Sequence, residues 1–234
     1  MTDKINSLDW NTITEDMHSQ GYALASEILT SNQCKEIIHL YENQDLFRKT
    51  VVMERHRFGK GEYKYFDYPL PQAIQELRET IYARLSPIAN QWMKALRMDT
   101  SFPNSLLALQ KLCQANDQKR PTPLLLKYGA GGFNTLHRDL YGDVYFPIQT
   151  VFFLNEPDVD YTGGEFVLTQ QTPRAQSKAI VLKPKKGDML VFTTNFRPVM
   201  GARGYYRANM KHGVSEIING ERHTLGIIFH DALT

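Results

Sequence analysis

The chain changes character at Arg120-Pro121-Thr122-Pro123, and the stretch after it constrains the fold most. Short apolar, β-branched and aromatic runs follow one another, separated by glycine, proline and asparagine turns. Strands are predicted at 124–128, 146–154, 165–169, 178–183, 188–193, 205–211, 214–218 and 222–230. The breaks fall at 129–132, Asn155-Glu156-Pro157, Gly163-Gly164, Lys186-Gly187 and Asn219-Gly220. Many short strands with such punctuation bury their apolar faces by closing into a barrel or a double-sheet jelly roll.

Before Arg120 the spacing is helical. Thr30 and Gln33 resemble a capping box that opens a helix over 31–43, with Cys34, Ile37, Ile38 and Tyr41 on one stripe. A second helix is predicted from Pro71, with Ile74, Leu77, Ile81, Leu85, Ile88, Trp92 and Leu96 aligned and a kink near Pro87. A third follows Pro103. Between the first two lies a basic hairpin at 50–68, turning at Phe58-Gly59-Lys60-Gly61-Glu62. The expected organisation is a helical support region over 1–120, packed as one compact unit on a β core over 121–234.

A formal charge of +2 forces no polyanionic partner, and 42% hydrophobic with 22% charged residues is ordinary for a globular chain. Cys34 and Cys113 are too few for a disulfide framework. Met1-Thr2-Asp3-Lys4-Ile5-Asn6 does not read as a signal peptide, and no apolar run is long enough to span a bilayer. The expectation is a cytoplasmic protein with no membrane partner.

Chemistry concentrates in Leu136-His137-Arg138-Asp139 and in His212. In extended chain, side chains at i and i+2 share a face, so His137 and Asp139 can meet one ion. Two histidines and one carboxylate form the facial triad that holds Fe(II) and leaves coordination positions open. Either histidine alone reads more simply as a hydrogen-bonded core or loop residue. Their order shifts the balance: glycine-rich turn, His-x-Asp, several strands, a late histidine, then Arg222-x-Thr224. The guanidinium fork of Arg222 and the hydroxyl of Thr224 can grip a carboxylate.

These residues resemble the Fe(II)/2-oxoglutarate-dependent dioxygenases over roughly 124–232. The run Tyr128-Gly129-Ala130-Gly131-Gly132-Phe133-Asn134-Thr135-Leu136-His137-Arg138-Asp139 is similar to one shared by prolyl hydroxylases and AlkB-type demethylases. Gly163-Gly164-Glu165-Phe166 and Lys186-Gly187-Asp188-Met189-Leu190-Val191-Phe192 look like the prolyl-hydroxylase branch. The whole chain also resembles a bacterial group described as oxygenases acting on damaged nucleic acid, through Phe58-Gly59-Lys60-Gly61-Glu62-Tyr63 and the closing run Arg222–Asp231. The resemblance implies a mainly β fold with α-helices, namely a double-stranded β-helix core of the jelly-roll, cupin-like type buttressed by N-terminal helices. It implies metal ligation by His137, Asp139 and His212. It implies 2-oxoglutarate held by Arg222, Thr224 and Tyr128, with Gly226 leaving room for its carbon chain. Dioxygen is then the oxidant, ascorbate a supporting reductant, and succinate a product. The interval from His212 to Arg222 is nearer the prolyl-hydroxylase spacing, where a lysine usually stands, than the AlkB one.

Register sharpens one expectation. If Asn219-Gly220 closed a tight hairpin back to His212, His212 and Arg222 would face opposite sides, so a bulge or break is predicted near Gly213. His223 is expected to face solvent, and His230 to cap the barrel end. The aromatics of 50–68 are expected to pack on the helices. Arg197, Arg203 and Arg207 are expected in a loop bordering the site. Three functions compete: an oxygenase of nucleic acid, a prolyl or other protein side-chain hydroxylase, and a non-catalytic metal-binding module.

Overall fold

The computed structural model describes all 234 residues. Its helices are α1 (Thr2–Asn6), α2 (Trp10–Gln20), α3 (Ser31–His39), α4 (Gln72–Ala95) and α5 (Leu106–Ala115). The strands begin with β1 (Tyr22–Ala25), β2 (Phe47–Val52), β3 (Gly59–Lys60), β4 (Glu62–Phe66), β5 (Leu124–Tyr128), β6 (Phe133–His137), β7 (Ile148–Phe153) and β8 (Tyr161–Gly163). They continue with β9 (Phe166–Gln171), β10 (Lys178–Leu182), β11 (Met189–Thr193), β12 (Phe196–Gly201), β13 (Gly204–Val214), β14 (Ile217–Gly220) and β15 (Arg222–Ile227). No helix is long and apolar enough to cross a membrane.

Two antiparallel sheets form the core. The larger runs β1-β11-β7-β15-β5-β4-β2, and the smaller runs β10-β9-β13-β6-β3, with β12 paired to β13. This is the expected double-sheet architecture. All six residues of β7 and all six of β15 are buried, as they must be when helices cover one face and the second sheet the other. On the helix side, Leu77, Ile81, Leu85 and Trp92 of α4 share a core with Phe152, Ile227 and Phe229. Each such side chain contributes about 1.5–3 kcal/mol on burial. Arg78 of α4 is itself fully buried and pairs with Asp231 at 2.7 Å, tying the helix to the chain end.

The Thr30–Gln33 capping box is present at α3. Pro71 caps α4 from just outside it, and α4 runs through Pro87 as one helix. The 50–68 segment departs from expectation. Its strands are not a separate hairpin: β2 and β4 extend the large sheet beside β5, while β3 joins the small sheet beside β6. Phe66 packs toward the helices as expected, but Tyr63 and Tyr65 line the interior cavity instead. The 197–207 stretch is likewise a β12–β13 hairpin and not a loop. There Arg197 is buried, its Nε donating to Gln170 Oε1 at 2.9 Å.

The break near Gly213 is present. β13 pairs with β6 at His212↔His137 and again at Val214↔Asn134, with a register shift between them. A Cβ at Gly213 would sit 2.6 Å from Asn134 O, so only glycine fits this close approach. The assumed hairpin back from Asn219-Gly220 does not form. β14 pairs with β8, and the chain then crosses to the large sheet, where β15 lies between β5 and β7. His212 and Arg222 therefore sit on different sheets and both face the space between them.

Candidate active site

His137 ends β6 and His212 lies directly across from it on β13. Their ring centroids are 4.2 Å apart. Asp139 lies beyond the end of β6, so it reaches the histidines through a bend held by its backbone N–H donating to Thr194 Oγ1 at 3.0 Å. Asp139 Oδ1 is 3.5 Å from His137 Nε2, and Oδ2 is 3.3 Å from His212 Nε2. One donor atom from each of the three residues lies within 4.8 Å of the other two, a set that could hold a metal ion. Thr135 O lies 2.7 Å from His137 Nδ1, which suits an Nδ1–H donor and leaves Nε2 as the ligating atom.

Two groups outside the sequence motif orient Asp139. The Tyr141 hydroxyl donates to Oδ1 and Gln149 Nε2 to Oδ2, each at 2.7 Å. Burial pushes the Asp139 carboxyl up, but the two histidines and Gln149 outweigh it and hold it well below the usual range. Burial and the Asp139 charge drive the Tyr141 phenol well above its ordinary value, so it stays a donor. Gln149 had a readable signal, being an amide in the apolar run 146–154, where a buried polar group requires a partner. Tyr141 had none.

Both sheets enclose a cavity of about 230 Å³ that contains His137, Asp139, His212, Tyr128, Arg222 and Thr224 in its lining. Arg222 is 1% exposed, yet its Nε and Nη1 have no hydrogen-bond partner. Its guanidinium carbon lies 5.7, 5.4 and 5.9 Å from the rings of Tyr128, Phe153 and Tyr161. A buried cation with unused donors, aimed among aromatic walls, is costly unless an anion meets it. The Thr150 hydroxyl, in the same cavity, is also without a partner. The Tyr128 hydroxyl receives Asn134 Nδ2 at 3.3 Å, and burial pushes it up to about 12 against the opposing pull of Arg222. Gly226 borders the cavity as expected. Gly164 explains the glycine pair: its missing Cβ leaves space for Ile217 and the Arg222 stem.

His223 is not solvent-facing. It is buried edge-on against Tyr41, and its backbone N–H donates to Asn155 Oδ1 at 2.7 Å. His230 is fully buried outside the cavity, its Nδ1 receiving the Phe146 N–H at 3.1 Å.

The donor set and the unpartnered guanidinium fit Fe(II) and an organic diacid. Known proteins share the fold and the family. A prolyl hydroxylase of Trichoplax adhaerens, in complex with a hypoxia inducible factor peptide fragment, shares the fold with TM-score 0.59 and 15% identity. That alignment covers 98% of this chain and 91% of the other. An oxidoreductase of the 2OG-Fe(II) oxygenase family from Burkholderia pseudomallei matches with TM-score 0.55 and 15% identity, covering 97% and 95%. At such identity the likeness establishes the fold. Nearer in sequence are proteins of two Mycobacterium tuberculosis strains, both described as uncharacterized, which are 45% identical over 223 residues, 95% of this chain and 91% of theirs. A family model described as "Oxygenase, catalysing oxidative methylation of damaged DNA" matches residues 61–232, which takes in all of the cavity lining except Phe58. A metal-ready His-Asp-His cluster inside a 2OG-Fe(II) oxygenase fold therefore has its place: the chain belongs to the Oxygenase-NA family of oxygenases.

Proposed function

We propose that the chain is an Fe(II)- and 2-oxoglutarate-dependent dioxygenase that hydroxylates a C–H bond on alkylated or otherwise damaged nucleic acid. The observation that carries this reading is Arg222, a buried guanidinium with two unused donors in the cavity that holds His137, Asp139 and His212. The two histidines and the carboxylate would hold Fe(II). Arg222 would bind the far carboxylate of 2-oxoglutarate by a charge-assisted bond, with the Thr224 and Tyr128 hydroxyls as further donors. Tyr141 and Gln149 fix the orientation of the Asp139 carboxylate. Phe166, Phe192 and Val151 keep water from the inner wall. The bound metal and co-substrate, with dioxygen, supply oxidative decarboxylation that yields succinate, carbon dioxide and one hydroxyl on the substrate.

The nucleic-acid assignment draws on the family description, on Arg138 at the cavity and on the exposed cations Arg55 and Arg57 next to Phe58 in the chain. A second reading, a prolyl or other protein side-chain hydroxylase, draws on the peptide-bound Trichoplax neighbour. The test is turnover followed by mass spectrometry with Fe(II), ascorbate and 2-oxoglutarate, offering methylated oligonucleotides and proline-bearing peptides side by side. A mass gain or methyl loss on the oligonucleotide is expected. Modification of the peptide alone would transfer the assignment to the second reading. A chain that makes no succinate under any condition would leave only the non-catalytic metal module.

A further inference from the structure

Phe58 is 46% exposed and also lines the cavity. The backbone around it is forced. Arg57 before it adopts φ +59 and Gly59 after it φ +138. A Cβ at Gly59 would run into the Phe133 carbonyl. A non-glycine residue in the left-handed region stays there only where its surroundings impose it. Thr135 does so: its backbone N–H and its hydroxyl both donate to Phe58 O, at 2.9 and 2.8 Å. Thr135 lies on β6 with His137, so one strand fixes the Phe58 turn relative to the metal donors. The His56 ring stacks alongside, centroids 5.3 Å apart at 23°.

Four cations stand on or beside this turn. Arg55, Arg57 and Lys60 are exposed on the same turn, and Arg138 is exposed beside His137 where it borders the cavity. None of the four forms a salt bridge; Lys60 donates to Ala130 O and Arg138 to Asn195 Oδ1. One carboxylate, Glu54, stands on the same turn and accepts from the Gly61 N–H, so the cations outnumber it. An exposed aromatic ring on a cation-rich turn, with Arg138 in the same cavity lining, complements a polymer that repeats a phosphate and a flat ring. The cavity, at about 230 Å³, admits one small unit and not a polymer, so the strand must stay outside.

We propose that Phe58, backed by His56, is a stacking platform for a nucleobase of single-stranded nucleic acid at the cavity mouth, with Arg55, Arg57 and Arg138 on the flanking phosphates. This rests on the nucleic-acid reading above and adds to it the form of the substrate and the residues that receive it.

The test is fluorescence anisotropy of a short fluorescein-labelled single-stranded DNA. The binding partner is the full chain loaded with Mn(II) and 2-oxoglutarate. Phe58→Ala should weaken binding roughly tenfold while Phe58→Trp holds it at the wild-type level or better. Inorganic polyphosphate, which has charge and no rings, should compete with the DNA equally in wild type and Phe58→Ala. Arg55→Ser, Arg57→Asn and Arg138→Ser should each flatten the slope of log Kd against log salt by about 0.7. If Phe58→Ala binds DNA as wild type does and melts normally, the platform is overturned while the nucleic-acid reading stands. If the wild-type chain binds no DNA while a proline-bearing peptide drives succinate formation, the reading falls and the platform with it.

Discussion

The phenol of Tyr141 donates to Asp139 Oδ1 at 2.7 Å, and this bond limits how the carboxylate can turn. Gln149 holds the other oxygen at the same distance. Tyr141 is itself held, since the Tyr65 hydroxyl donates to it at 3.1 Å. Groups that orient a ligand in this way typically change metal affinity by about 10–100-fold when removed. Tyr141→Phe should therefore lower Mn(II) or Co(II) affinity by about tenfold or more in isothermal titration calorimetry. Equal affinities would show that Asp139 needs no such restraint.

Arg222 makes a prediction about stability as well as binding. Without an anion, its unpartnered donors are a cost to the folded chain. Arg222→Met, apolar and of comparable length, should melt at or above the wild-type temperature when no ligand is added. With 2-oxoglutarate at about a hundred times its Kd, wild type should gain about 2.7 kcal/mol and the variant almost none. An equal thermal shift in both proteins would remove Arg222 from the co-substrate site.

Gly226 tests the room left for the diacid. A Cβ there would come 2.7 Å from Leu124 Cδ2, the movable end of a side chain. The protein can absorb that for about 1–2 kcal/mol, but the cavity loses volume where Gly226 borders it. Gly226→Val should raise KM for 2-oxoglutarate by about tenfold and keep a cooperative melt. An unchanged KM would place the diacid elsewhere.

The acid limb of stability should carry a His230 signature. Burial pushes its imidazole from an ordinary 6.5 down to about 3. The unfolded chain then binds the proton more readily, so stability is complete above about 6.5 and drains away as pH falls toward about 3. His212 and His223, both lowered chiefly by burial, act in the same direction. His230→Asn keeps an acceptor for the Phe146 N–H and should flatten the dependence in urea denaturation of chelator-treated protein. An identical slope would assign the acid sensitivity to other groups.

Continuous apolar runs such as Leu124–Tyr128 and Met189–Thr193 made most of the second half legible, because glycine or proline turns border them. The candidate metal donors stood out by order and context: a glycine-rich turn, His137-x-Asp139, several strands and a late His212. What stayed hidden depends on partners distant in sequence. β1 and β2 carry mixed residues and exist as strands because β11 and β4 complete their ladders. Tyr141 reaches Asp139 through the bend after β6, where periodicity carries no signal. The hairpin assumed at Asn219-Gly220 misled because a good turn dipeptide does not say which strands it joins; β14 took β8 as its partner.

Both margins of the large sheet, β1 and β2, come from the first part of the chain, while the strands between them come mainly from the second. During synthesis β2 can pair with β4 at once, but β1 emerges long before its partner β11, and the β2–β4 pair before β5. Both margins must wait for the second half of the chain, and such long-range pairing slows folding. Cutting the chain near Pro121 would therefore not release an autonomous oxygenase core. It would strip β4 from β5 and leave an open flank prone to sticking to other chains.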